Sequence, residues 1–436
     1  MEVREAKARY LKSSSMWDSS VPAGYKRTEI GLIPEDWAAV RLAEIGEPLI
    51  GLTYRPSDVA QDGVLVLRSS NVQNGVLRFD DNVFVTCEVP KRIMVRLGDI
   101  LICVRNGSRN LIGKCALVDE QALGMTFGAF MAIFRTDASK FIFQQFGSPL
   151  IQRQIHEHLG ATINQITNAS LKSFVAALPP TETEQEAIAE ALGDADALIE
   201  SLEQLIAKKR QIKQGTMQAL LTGKQRLPGF EKAWDDRVLG DVVDDLEAGV
   251  SVNSTKDEPS QEVPCVLKTS AISGGRFISS QCKVIAHRDW QRTRVGVVRN
   301  TILISRMNTP DLVGEVAYVD ADYPMLFLPD RVWMARFRPE LDIDVTWLGY
   351  VLSSSDYSRR IKASATGTSG SMKNISKPAL LSIEIALPCV EEQTAIATIL
   401  TDMDTELVEL ETRLAKTRQL KQGMMQELLT GRIRLV

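Results

Sequence analysis

Histidine is scarce in this chain. The 436 residues hold three, and no Ser/His/Asp set can be pointed to, so catalysis of that kind finds no machinery. Cys87, Cys103, Cys115, Cys265, Cys282 and Cys389 lie scattered, without a Cys-x-x-Cys pair. That spacing argues against a zinc site or a disulfide framework and for reduced thiols. No stretch nears the ~18 consecutive apolar residues of a membrane-spanning helix. The opening segment, MEVREAKARYLKSSS, is charged and lacks the apolar centre of a signal peptide, so the chain is expected to stay in the cytoplasm. Basic residues are not in excess either. The formal net charge is −4, and any hold on nucleic acid must come from local patches or from partners.

What the chain does have is apolar material for real cores, 44% of residues against 24% charged, and a length that suits two or three domains. It also repeats itself. KQGTMQALLTG (213–223) returns as KQGMMQELLTG (421–431). Shifting residues 185–223 by 208 positions onto 393–431 leaves more than half of the positions identical. Asp194 and Asp196 fall on Asp402 and Asp404; Lys208, Arg210 and Gln211 fall on Lys416, Arg418 and Gln419. Fainter echoes come earlier. Trp37 and Leu42 match Trp234 and Leu239, and VLRSS (66–70) matches VLKTS (266–270). ILICVRNG (100–107) resembles TILISRMN (301–308), each followed by Leu-x-Gly at 111–113 and 312–314. INQIT (163–167) stands where KNIS (373–376) stands. The plan is A–B–A′–B′, with variable halves of ~150 residues and near-copies of ~40, a duplication rather than a solenoid.

The near-copies read as long helices. Ile188, Leu192, Ala195, Ile199, Leu202 and Ile206 step by 4 and 3, and so do Ile396, Leu400, Met403, Leu407, Leu410 and Leu414. That is a heptad seam. Thr181 and Glu184 suit a capping box, acidic residues crowd the first turns and basic ones the last, and Gly223 and Gly431 stand where a C-terminal cap belongs. At ~1.5 Å per residue, 39 residues make a rod of about 58 Å. The natural partner for each seam is the other copy, and two-fold association of duplicated units would make the pair antiparallel. The best-matched stretch lies past the heptads, which points to two identical partners docking on Met217, Leu220, Leu221 and on Met425, Leu428, Leu429; simple packing of the rod ends is the alternative.

The variable halves are mostly β. VLVLRSS, DNVFVTCEV, DILICVRN, ALVDE and AFMAIFR, and then PCVLKTS, CKVIAH, TILISRM, EVAYV and RVWMARFR, are short β-rich runs. Polar clusters close several of them. Candidate contacts to base edges and phosphates are Thr53, Tyr54, Arg55, Arg68, Ser69, Asn71, Arg105, Asn106, Ser108, Arg109 and Gln165 in the first half. Those in the second half are Lys268, Thr269, Ser270, Arg306, Asn308, Lys373 and Asn374. Solvated turns carry the same residue types, so composition alone does not decide. Enzyme machinery is not visible. GSRNLIGKC (107–115) misses the phosphate-loop spacing by one residue and ends in Cys115 rather than Ser or Thr. No Asn-Pro-Pro-aromatic stretch is present, Pro310-Asp311 and Pro329-Asp330 lack a following Glu-x-Lys, and His156-Glu157-His158 lacks a third ligand.

In plan and in phrases the chain resembles the specificity (S) subunit of type I restriction–modification systems. The phrases are GLTYRPSDV, VLRSSNVQNGVL, DILICVRNGSRNLIGKCALV, INQIT and LPPTETEQ…LLTG, with NIS…ALPCVEEQ…LLTG in the second copy. The resemblance runs from about Tyr25 to Leu435. It implies an α+β fold with two target recognition domains, 25–180 and 224–388. Two long antiparallel coiled-coil helices, 181–223 and 389–436, would separate them, preceded by an N-terminal arm, 1–24. Each domain would read half of a split target on double-stranded DNA, with the helices as a ruler. Two modification (methyltransferase) subunits would bring S-adenosylmethionine, two restriction subunits would bring ATP and Mg, and this chain would bind no cofactor and catalyse nothing. Gln165-Ile166-Thr167 departs from the commoner Asn374-Ile375-Ser376 form. A structural adaptor, a coiled-coil rod presenting two β-rich binding domains, is the alternative.

Overall fold

The apolar runs ILIC and TILIS are unbroken because their strands are buried on both faces. A computed structural model describes residues 21–159, 164–260, 262–338, 340–367 and 372–435, and divides the chain into two compact units. Unit one holds the first 203 residues and Thr412–Val436; unit two holds Gln204–Glu411. Of the expected N-terminal arm, residues 1–20 lie outside the described residues, as does Ile163 of the INQIT motif.

In unit one the main sheet orders the strands Cys115–Leu117, Ile100–Cys103, Met131–Arg135 and Glu47–Ile50, all antiparallel. Side chains alternate across a strand. Ile100 and Ile102, with Ala132 and Phe134, enter one core; Leu101 and Cys103, with Met131 and Ile133, enter another. The second core is closed by a small sheet in which Val64–Leu67 pairs parallel with Thr126–Phe127. The first core is closed by the helices Ser139–Gly147 and Pro149–His158.

Unit two repeats this construction. Its main sheet orders Val243–Ala248, Val332–Phe337, Thr301–Ser305 and Val316–Val319. Ile302, Ile304, Trp333 and Ala335 face the helices Val345–Ser353 and Ser355–Ala363, while Leu303, Val332 and Met334 face a small sheet in which Cys265–Leu267 pairs parallel with Tyr323–Phe327. In each unit an early strand pairs with the last strand of the β region, Ala38–Arg41 with Val175–Leu178 and Asp235–Val238 with Glu384–Leu387.

The two long helices, Glu182–Leu220 and Val390–Leu428, are both 39 residues long. Every seam residue is buried or half-buried; Ile188, Leu192 and Leu400 are fully covered. Thr181 caps the first helix through its hydroxyl, which accepts from Glu184 N at 3.3 Å. The capping box does not close, because the Glu184 carboxylate turns to Arg434. Gly223 and Gly431 end the helices at φ +67° and +70°, the left-handed conformation that glycine adopts without strain.

Ion pairs fix the direction of the pairing within each unit. In unit one Glu184 meets Arg434, Asp196 meets Lys421 and Glu203 meets Arg418, so one number rises as the other falls. In unit two Glu392 meets Arg226, Asp404 meets Lys213 and Glu411 meets Arg210. Each pair of the second set is a pair of the first moved by 208 positions. The helices are antiparallel in both units. Glu184 and Glu392 are each 1% exposed. Their arginines lie over Trp37 at 5.7 Å and over Trp234 at 5.6 Å, so each buried carboxylate is closed by an Arg–Trp clasp.

Losing one partner of a buried pair strands the other, at a cost of about 3–5 kcal/mol. Arg434→Met is expected to lower stability to chemical denaturation by that amount. Adding Glu184→Met should recover most of the loss, and equal losses in the single and double variants would contradict the clasp.

Candidate nucleic-acid interface

At the end of strand Ile100–Cys103 the chain enters loop 104–113. Val104 N and Arg105 N both donate to Phe130 O at 3.1 Å, and Ile166 N donates to Val104 O at 2.8 Å. Arg105 bridges Gln165 in antiparallel fashion. The Asn106 amide donates to Ser69 Oγ at 3.1 Å and accepts from Ser108 N at 2.9 Å, turning the loop. Arg109 donates to the Leu159 carbonyl at 3.2 Å. The structure therefore gathers Ser69, Arg105, Asn106, Ser108 and Gln165 at one end of the main sheet.

The neighbouring candidates are spent on the scaffold. Arg68 pairs with Asp81 at 2.8 Å, and Asn71, 1% exposed, accepts from Arg68 N and donates to Arg78 O and Asp81 O. Their side chains hold the turn around Val72–Leu77. Tyr54 packs against the cluster of Leu52, Val66 and Val85, and Thr53 and the Arg55 side chain stay exposed.

Unit two has the same frame with one residue less in its loop. Cys103 pairs with Met131, and Ser305 pairs with Val332. Cys103 O accepts from Gly113 N and Ser305 O from Gly314 N, both at 2.8 Å. Cys103 and Ser305 are thus equivalent, so Arg306 stands where Val104 stands and not where Arg105 does. It is half-buried with its guanidinium 5.3 Å over Trp333, whereas Arg105 is exposed and lies 5.1 Å over Phe130. Met307 pairs with Asn374 and Asn308 with Lys373, beside the turn in which Asn308 donates to Ser305 Oγ at 3.2 Å. Lys268 and Thr269 are half-buried, and the exposed Ser270 hydroxyl bonds the Gln281 side chain.

The structure corrects the four leucines among the expected docking residues. Leu428 and Leu429 lie inside the unit-one core, and Leu220 and Leu221 inside that of unit two, all at most 5% exposed. Met425 and Met217 pack against the same cores. The rod ends match because each seals an equivalent core, and the four leucines are not available to a partner.

The loop at Asn253, equivalent to the Thr53–Arg55 loop, was not legible in the sequence. Asp289 accepts from Asn253 N and from its side-chain amide, both at 2.8 Å, and from Arg292 at 3.0 Å. Only the Asp289–Arg292 spacing was local; Asn253 is 36 residues away. His156 and His158 are exposed and bond carbonyls of their own helix. Among the described residues no group of three or more His, Cys, Asp or Glu could hold a metal, and no helix is long and apolar enough to cross a membrane.

Two β-rich units, each built on the start of one long helix and the end of the other, define a duplicated recognition scaffold. The sequence pattern of the type I restriction modification DNA specificity domain matches residues 34–211 and 232–422, so the chain belongs to that family and is a type I restriction–modification specificity subunit with DNA-recognition domains. It is 23% identical to the EcoKI specificity subunit of Escherichia coli (strain K12), over 92% of this chain and 90% of the relative. With the putative MjaX specificity subunit of Methanocaldococcus jannaschii it shares 25% identity over 94% and 97%. The crystal structure of the type I S subunit from M. genitalium has the same fold, with TM-score 0.59 and 15% identity over 90% of this chain and 96% of that one. So does a chain of a type I R-M system solved for its assembly and conformational transition, at TM-score 0.52 and 19% identity over 92% and 99%.

The hydrogen bonds from Asn253, backbone first, and then from Arg292 lower the Asp289 carboxyl from its ordinary 3.8 to about 2. A depressed carboxyl stabilises fully above its unfolded value and loses that contribution as pH falls through its folded value. Asp289→Asn is therefore expected to be less stable than the parent above about pH 4, with the gap closing towards pH 2. Denaturation midpoints across that range read the gap; a constant gap would exclude the linkage.

Proposed function

We propose that each β-rich unit reads one half of a bipartite target on double-stranded DNA, and that the paired helices fix the spacer between the halves. The observation that carries this reading is the antiparallel ladder, whose pairs recur at a spacing of 208. One frame thus carries two loop clusters of different composition. The base-facing set starts from Ser69, Arg105, Asn106, Ser108 and Gln165 in unit one and from Asn308, Lys373 and Asn374 in unit two. Thr53, Arg55, Arg109 and the Lys268–Ser270 turn stand as further contacts. Two modification subunits dock on this chain and bring S-adenosylmethionine; two restriction subunits supply ATP- and Mg-dependent cleavage. This chain carries no reaction and binds no cofactor, and the complex works in the cytoplasm. With a net charge of −4, much of the phosphate affinity comes from the partners.

Two experiments test it. The chain assembled with its modification subunit should select a split sequence from random DNA; a complex that binds all DNA alike would refute the reading and favour an adaptor role. Inserting one heptad into each long helix, after Glu203 and after Glu411, lengthens the rod by about 10 Å, some three base pairs of duplex. The accepted spacer should lengthen to match, and an unchanged spacer would rule out the ruler.

A further inference from the structure

The register of the two main sheets identifies a pair of positions at the loop end whose chemistry is exchanged between the units. In unit one they hold Arg105 and Phe130. Phe130 is 58% exposed; the only other aromatic among the strongly exposed large hydrophobics of the described residues is Trp290 at 37%. Its backbone carbonyl receives Val104 N and Arg105 N. In unit two the equivalent positions hold Met307 and Arg331, since Arg306 N donates to Arg331 O at 3.0 Å and Val332 pairs with Ser305. Arg331 is exposed, and its side chain makes no ion pair or hydrogen bond among the described residues. Each unit thus places one arginine and one polarisable apolar side chain here, with Met307 half-buried, but the two have traded positions.

We propose that these four residues are the specificity-determining pairs of the two half-sites: Arg105 with Phe130 for one, Arg331 with Met307 for the other. The inference rests on the DNA-reading function proposed above. Arginine reads guanine through O6 and N7 in the major groove, and an apolar side chain reads the thymine methyl. Phe130 belongs to no core, so its exposure has no packing purpose inside the chain. Arg105 is held over that ring by the Gln165 bridge, while Asn106 and Ser69 close the turn beside it. Exchanging cation and apolar group between the two positions moves the guanine-reading position relative to the thymine-reading one. The same frame then reads two different half-sites.

The test uses the full chain assembled with its modification subunit, selecting from DNA with both half-sites randomised. Arg105→Ala and Phe130→Ala should each relax one or two positions of a single half-site, and Arg331→Ala and Met307→Ala positions of the other. The arginine variants should lose discrimination by about tenfold or more. Phe130→Leu keeps an apolar contact and should keep the preference. Melting should not change, because the substituted groups are outside the cores. Uniform weakening across all sequences with a shallower salt dependence would mark the arginines as phosphate contacts and overturn the proposal, as would unchanged preferences. A parent complex without sequence preference would instead refute the DNA-reading function itself.

Discussion

Each long helix begins by burying a carboxylate, and that carboxylate has one cation to meet. Glu184 needs Arg434 and Glu392 needs Arg226; each arginine lies just past the end of the opposite helix. A heptad seam alone tolerates slips of seven residues and both directions, because its apolar steps look alike after every two turns. A slip of seven would leave a buried carboxylate without its arginine, which costs several kcal/mol. The clasp therefore sets direction and register together, and the half-exposed pairs between the clasps add a matching charge pattern rather than much stability.

The β regions inherit that register. Ile188 and Leu192 with Leu428 and Leu429 are part of the same core as Ile100, Ile102 and Phe134, so the main sheet of unit one is built onto the helix pair. Arg78 reaches Glu200 at 2.5 Å, and the Gln144 amide reaches Asp196 at 3.0 Å, tying the β region to the helix by polar contacts as well. In unit two Tyr350 donates to Asp404 at 2.8 Å while Lys213 pairs with the same carboxylate. Asp196 and Asp404 thus each join three things: their own helix, the opposite helix and the sheet's covering helices. Loop positions in each unit are referenced to the rod through these joints and not through the loops themselves, which frees the loop sequence to differ.

Much of this frame is legible in the sequence. The 4,3 steps gave the seam, the identities at 208 gave the duplication, and the apolar runs gave the central strands. What failed had a common cause: identity was read as similarity of role without its packing context. The matched LLTG ends looked like docking faces, yet their leucines are core, because two equivalent cores need two equivalent plugs. Arg105 and Arg306 looked like one residue repeated. In a strand the next residue points to the opposite face, so a register offset of one sends the first to solvent and the second over Trp333. Asn71 looked like a base reader, but an amide with two donors and an acceptor is equally suited to hold a hairpin. None of these distinctions is carried by local sequence, since each depends on a partner brought in from elsewhere.

Part of the chain's acidic balance is committed to its own frame. Six acidic residues belong to the helix ladder, and Asp36, Asp81, Asp99 and Glu200 are paired with arginines of the scaffold. Loop 104–113, by contrast, contains Arg105 and Arg109 and no acidic residue. A local field of that sign is what a polyanion meets at close range, while distant charges are screened beyond about 10 Å at moderate salt. Two loop arginines cannot by themselves neutralise the six to ten phosphates that a tightly held duplex engages. On the proposed reading the division of labour follows directly: this chain supplies a few well-placed groups for the bases, and the subunits that dock beside it supply most of the charge for the backbone.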